Sequence, residues 1–298
     1  MGSGRSRNAA GPILVRQRHQ RSALMNRLIH NFGKFLSWLP IAGRVSLPTD
    51  PIPPAWRTLI RRQLPLVARL STQDQDRLYH RMQLFFREVP IEGCGGLQLT
   101  EEMRLTIGAQ ACLLLLRMPY PRYTRVRRVL VYPSSFIPKP QALHASGEIV
   151  TPDEPLEGQA WQSGTVVLGW DAVKRATRVA TDGENVVLHE FAHMLDAEDG
   201  SLDGIPVLDS GSAYRAWGAL LSLKFAEHTA RVDKGEVTIL DPYGAEDRAE
   251  FFAVATEAYF EKPVALRKDQ PDLYALLLDF YKIDPATLVQ PTRGRGAV

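Results

Sequence analysis

Residues 186–200 read VVLHEFAHMLDAEDG, an apolar run whose only polar members before Asp196 are His189, Glu190 and His193. On a helix, positions i and i+4 project from one face about one turn apart, so both imidazoles can reach a single cation with the carboxylate beside them. The segment constrains the fold twice. Val186, Val187, Leu188, Phe191, Ala192 and Leu195 demand a core on most sides of the helix, and Gly200 offers a stop. Two histidines and a glutamate placed inside that core need partners. The five-residue pattern alone can arise by chance in 298 residues, so its apolar setting carries the weight. The competing account is a pair of core histidines satisfied by hydrogen bonds.

The residue types suit metal chemistry. Neutral imidazole nitrogen is a zinc ligand, and a zinc site with an open position holds a water whose pKa falls toward about 7. Glu190 is then placed to take that water's proton and deliver it to a leaving amine. Two sources of a third ligand are open. The nearby one is Asp199, but Asp196 stands where a glycine would turn the chain three residues after the second histidine, and the first glycine comes only at Gly200. The distant one is residues 246–261, EDRAEFFAVATEAYFE, where Phe251, Phe252, Val254, Ala255, Ala258 and Tyr259 cover most of a helical circumference. Glu246, Glu250 and Glu257 share its remaining stripe. Glu246 and Asp247 suit a helix N-terminus. Glu250, between Ala249 and Phe251, suits a buried carboxylate facing a cation, and Glu257 is open between that role and solvent.

Tyr243 lies in DPYGAED, a Pro- and Gly-punctuated loop just before that stretch. Taken alone it reads as a loop tyrosine packing its ring, although a phenol near the metal could donate to an oxyanion. Asp196 falls on the face of both histidines, where it could orient a ligand or simply end the helix; Asp199 with Gly200 reads as turn chemistry.

HEFAHMLD, followed downstream by LDPYGAEDRAEFFAVATEAYF, resembles the Mlc titration factor A family of zinc metallopeptidases. That family's motif runs from His-Glu-x-x-His-x-Leu-Asp to a Tyr-containing loop and a Glu-Phe/Cys-Phe-Ala-Val helix. The similarity extends from about Pro54 to about Asp284, through RLTIGAQACLLLL, RRVLVYPSSF and TVVLGWDAV. The resemblance implies His189, His193 and Glu250 as zinc ligands, Glu190 as catalytic base and Tyr243 as hydroxyl donor. It also implies a thermolysin-like enzyme with one Zn2+ per chain, a peptide substrate and aminopeptidase activity. For enterobacterial members it implies binding of the glucose-uptake repressor Mlc.

Charge is uneven. Residues 1–49 hold eight Lys/Arg and no Asp or Glu, leaving 28 bases against 33 acids in the remainder. The net charge of +3 therefore describes the arm more than the body. Six of the eight bases precede the first aromatic, Phe32, and the arm shows no DNA-binding helix pair, so it reads as a flexible, non-catalytic extension without direct nucleic-acid binding. Met25 offers an alternative start. No run reaches the roughly 18 apolar residues of a membrane helix, and LIHNFGKFLSWLPIAG is interrupted by His30, Asn31 and Lys34. Cys94 and Cys112 lack Cys-x-x-Cys spacing and read as reduced thiols, pointing to a cytoplasmic protein.

The expected organisation is a basic extension over 1–48, a metallopeptidase domain over 49–286 and a tail over 287–298, with Pro-rich SLPTDPIPPAW at the first boundary. Helices are expected at 54–63, 72–87, 101–117, 184–198, 210–228, 246–261 and 270–282. Strands are expected at 127–132, 147–150 and 164–169, the last either a cleft-lining edge or an internal strand. This order is that of an α+β, mostly helical core with a small sheet and a His-Glu-x-x-His helix. The leading function is a zinc-dependent peptidase on short peptides, an aminopeptidase by resemblance. The alternative is a regulatory protein that sequesters a repressor, with peptidase activity secondary; an esterase or amidase using the same water is a third. An intact Glu190 favours an enzyme, because a structural zinc takes four protein ligands and has no use for a base.

Overall fold

The computed structural model describes residues 51–118, 123–134, 164–179 and 181–289. The extension over 1–48, the strand expected at 147–150 and most of the tail over 287–298 lie outside the described residues.

Three helices open the described chain: α1 (Pro54–Gln63), α2 (Pro65–Ala68) and α3 (Thr72–Glu88). Proline at the first position of α1 and α2 costs nothing there, since that N–H has no intrahelical acceptor. Ser71 caps α3 by accepting from the Asp74 N–H at 3.1 Å. Strand β1 (Ile91–Gly93) is followed by α4 (Glu101–Leu114), capped by the Thr100 hydroxyl and buried continuously from Leu105 to Leu114. Strand β2 (Arg128–Tyr132) and β3 (Thr165–Gly169) complete a sheet of order β1-β2-β3 in which both pairings are parallel. Val129 faces Ile91 on one side and Val166 on the other. Among the described residues β3 is therefore an end strand. Gly164 starts it with φ +72°, and a Cβ there would lie 1.9 Å from the Arg125 carbonyl oxygen, so only glycine fits.

The second half is helical: α5 (Trp170–Arg178), α6 (Val186–Asp196) with a 3-10 turn over Ala197–Asp199, α7 (Gly211–Asp233), a 3-10 turn over Pro242–Ala245, α8 (Arg248–Glu261), α9 (Pro263–Asp269), α10 (Pro271–Tyr281) and α11 (Pro285–Leu288). All eleven residues of α6 are buried, as is every residue of α8 from Ala249 onward. A helix apolar over most of its circumference packs inside the protein, and the few polar side chains it carries must then find partners there. These two pack on one another, with α4 and β3 also against α6 and α7 and α10 against α8. Phe191, Phe251, Phe252 and Tyr259 are 1% exposed or less. Each such ring contributes on the order of 1.5–3 kcal/mol by leaving water, before conformational entropy is counted.

The architecture is the expected α+β, mostly helical core. The expected helices recur with shifted ends, most notably at 210–228, which continues to Asp233. Strand β1 and helices α2, α5, α9 and α11 were not expected; all are short, and three of those helices begin with proline, which in a sequence reads as a break. Among the described residues no helix is long and apolar enough to cross a membrane. Cys94 and Cys112 are both free, and burial pushes the Cys112 thiol far above its ordinary range.

Candidate functional site

The site forms where α6 and α8 meet. Asn185 caps α6, its side-chain oxygen accepting from the Val187 and Leu188 N–H groups at 3.2 and 3.1 Å. Such a cap contributes about 0.5–2 kcal/mol and sets where the helix begins. One turn later α6 presents His189, then Glu190, then His193, which are 7%, 3% and 0% exposed. Asp247 caps helix α8, its carboxylate accepting from the Glu250 N–H at 2.9 Å. Glu250 therefore stands in the first turn of α8 with its carboxylate toward the two rings.

The geometry is a triangle of buried donor atoms. The Nε2 atoms of His189 and His193 are 3.1 Å apart, and Glu250 Oε2 lies 3.0 Å from the first and 3.5 Å from the second. Four ligands about 2.05 Å from a tetrahedral zinc are separated by about 3.3 Å, so the three edges match those of a zinc site. Glu250 Oε2 is buried with no well-formed hydrogen bond of its own, the condition of an oxygen kept for a cation. The donor set fits a metal, and it is the one such cluster among the described residues. Burial opposes the charge on Glu250, but the neighbouring His193 and His189 hold its carboxyl well below the usual range. Burial likewise opposes an imidazolium at His189, yet the Glu257 and Glu250 carboxylates raise its proton affinity well above normal.

Tyr243 sits in the 3-10 turn before α8, fixed by the Asp241 carboxylate accepting from its N–H at 2.9 Å. Its ring stacks on His189 with centroids 6.0 Å apart and planes 29° from parallel. Its hydroxyl donates to the Glu250 carboxylate; burial, Glu250, Glu246 and Glu190 together push the phenol far above its ordinary range. The hydroxyl therefore remains a neutral donor at any physiological pH. Behind the turn, His228 Nε2 lies 3.1 Å from the Asp241 carbonyl oxygen.

The other sequence candidates separate clearly. Asp199 is exposed and accepts from the Ser201 N–H at 2.9 Å, the turn chemistry its place beside Gly200 suggests. Asp196 is fully buried, and its Oδ2 accepts from the Gly204 N–H at 2.8 Å. It closes the end of α6 onto the following loop, where Gly204 has φ +78° and a Cβ would lie 2.3 Å from the Arg248 carbonyl. Burial pushes the Asp196 carboxyl up to about 7 against the opposing influence of the Gly204 hydrogen bond and the His193 charge. Glu246 is exposed and stands outside the triangle.

Three residues escaped the sequence reading. Glu257, left open between cation and solvent, is 7% exposed and its Oε1 lies 2.7 Å from His189 Nδ1. Its other oxygen accepts the Asn185 backbone N–H. Glu261 accepts from Asn185 Nδ2 at 2.9 Å and from the Gly183 N–H at 3.0 Å. Spacing held a signal for both, because Glu250, Glu257 and Glu261 recur at i, i+7 and i+11 on one face. Asn185 directly before an apolar run is a cap signal that was also passed over.

A mostly helical core around a buried His-Glu-x-x-His helix, with a convergent His-His-Glu donor set, defines a metallopeptidase. Sequence comparison leads to the same class: residues 41–282 match the family described as glucose-regulated metallo-peptidase M90, and the chain belongs to that family. The uncharacterized protein slr2042 of Synechocystis is 35% identical over 79% of this chain and 86% of its own length. Proteins called Mlc titration factor A, from Pectobacterium atrosepticum and Serratia proteamaculans, are each 30% identical. The first match covers 77% of this chain and 86% of the relative, the second 76% and 87%.

Proposed function

We propose that this chain is a zinc-dependent peptidase in which His189, His193 and Glu250 hold the metal, and that it acts as an aminopeptidase on short peptides. The observation that carries the proposal is the triangle of 3.0, 3.1 and 3.5 Å edges between three buried donor atoms, with Glu190 buried on the same helix. Zinc, when bound, supplies Lewis acidity that makes water nucleophilic near neutral pH. Glu190 accepts the water's proton and transfers it to the departing amine. The Tyr243 hydroxyl, which rests on Glu250, donates to the oxyanion that develops on the substrate carbonyl. The peptidase unit spans 49–286, the extension over 1–48 takes no part in catalysis, and the free thiols favour a cytoplasmic setting.

Metal analysis of the purified protein, paired with a panel of amino-acid anilides and blocked peptides, tests the proposal. One zinc per chain and hydrolysis of free-amino substrates alone are expected. His189→Ala and Glu250→Ala should each lose bound zinc and Asp199→Ala should keep it; the reverse pattern overturns the ligand set. Cleavage of blocked peptides overturns the aminopeptidase assignment. A second reading, binding of an Mlc-type repressor, is supported by the relatives called Mlc titration factor A. It makes a protein partner, rather than a peptide, the physiological target, and co-purification with such a repressor tests it.

A further inference from the structure

We propose that Glu257 is a positioning residue for the metal centre, holding His189 in the tautomer that carries its proton on Nδ1 and presents Nε2 to the cation. The inference rests on the zinc-peptidase reading above. Its basis is the difference between the two oxygens of one buried carboxylate. Oε2 faces the Asn185 backbone N–H, which can only donate. Oε1 lies 2.7 Å from His189 Nδ1. An ionised carboxylate is acceptor-only, so the ring nitrogen facing it must carry a proton. In a neutral imidazole the lone pair is then on Nε2, the atom 3.0 Å from Glu250 Oε2 and 3.1 Å from His193 Nε2. A carboxylate on the far nitrogen also makes the ligating nitrogen a better electron donor.

The scaffold around Glu257 keeps it from yielding. The Thr256 and Tyr281 hydroxyls lie 2.8 Å apart, and the Tyr259 hydroxyl donates to the Ile283 carbonyl at 2.5 Å. The helix is thus tied to the end of α10 and the chain just beyond it. Toward α6, Glu257 joins the first residue before α6 to the first metal-facing ring on it, so helix position and ring orientation are set by one group.

This geometry makes glutamine at 257 a sharp probe. Its single oxygen must stay on the Asn185 N–H, because an NH2 there would oppose a second donor. The NH2 then faces His189 Nδ1, draws the ring proton to Nε2 and blocks the metal. Zinc dissociation constants should be measured by chelator competition for the wild type, Glu257→Gln, Glu257→Ala and Glu261→Gln, together with 15N ring spectra of the zinc-loaded wild type. Glu261 shares the helix and the burial of Glu257 but accepts from Asn185 and Gly183 in place of a histidine ring. Expected are zinc binding weakened about 10- to 100-fold in both Glu257 variants, little change in Glu261→Gln, and a protonated Nδ1 on His189. Unchanged zinc affinity in folded Glu257 variants, or equal weakening in Glu261→Gln, overturns the proposal. If the Glu257 variants do not fold, the wild-type ring spectrum decides, and a proton on His189 Nε2 or metal on Nδ1 overturns it. A wild-type protein that takes up no zinc overturns the zinc reading itself, which is a distinguishable result.

Discussion

Glu190 lies next to His189 on a helix with no exposed face, so a substitution there must preserve shape to be informative. Glu190→Gln does so while removing the proton acceptor. Zinc content should stay at one per chain while turnover falls by about 100-fold or more, read by metal analysis and anilide hydrolysis on the same sample. Turnover near wild type would remove Glu190 from the role of base. Tyr243 calls for a different readout. Tyr243→Phe keeps the ring stacked on His189 and deletes only the hydroxyl, so kcat should fall about 10- to 1000-fold with KM and zinc content little changed. A change confined to KM would instead place Tyr243 in substrate binding. His189, Glu190 and His193 were legible because their relation is local, within five residues of one helix. The Glu257 contact was not, since it depends on which nitrogen of His189 faces α8, and no helical spacing encodes the rotation of a ring.

At the scale of elements, the contact between α6 and α8 carries a pH dependence outside the His-His-Glu triangle. Burial pushes the Glu261 carboxyl up to about 8, with Asn185 and Gly183 pulling the other way and Glu257 adding to the rise. In an unfolded chain the group titrates near 4.3. Raised on folding, it contributes stability fully present below the unfolded value and lost as pH rises through about 8, because the unfolded chain ionises first. Thermal melts of zinc-loaded protein between pH 5 and 8 should show stability declining with pH, and a flatter profile in Glu261→Gln. An equal slope in both would show that Glu261 ionises freely. The long helices were legible from their periodicity, as was Asp247 as an N-terminal residue, which caps α8. The parallel order of the sheet was not, because β1 has only three residues and pairs with a strand beyond α4.

For the whole molecule, the clearest division is one of charge. All eight bases of residues 1–49 stand without a single acid, while the body carries more acids than bases. Deletion of residues 1–48 should leave zinc content and anilide hydrolysis within about twofold of the full chain, and the melting temperature within the few degrees that correspond to about 1 kcal/mol. Loss of folding or of zinc would place the extension inside the catalytic unit. The matched family region begins at residue 41, so a second truncation ending at 40 separates the arm from its junction.

By itself the sequence determined a buried helix with two imidazoles one turn apart and a carboxylate beside them, since turn geometry and apolar periodicity act within a few residues. It also determined a second apolar helix bearing a stripe of glutamates. Which carboxylate stands beside the rings was decided only by tertiary structure, because Asp199 and Glu250 were both chemically suitable and differ in where packing leaves them. Asp199 lies exposed in a glycine turn, whereas the close approach of α8 to α6 brings Glu250 Oε2 to 3.0 Å and Glu257 to 2.7 Å from opposite nitrogens of one imidazole.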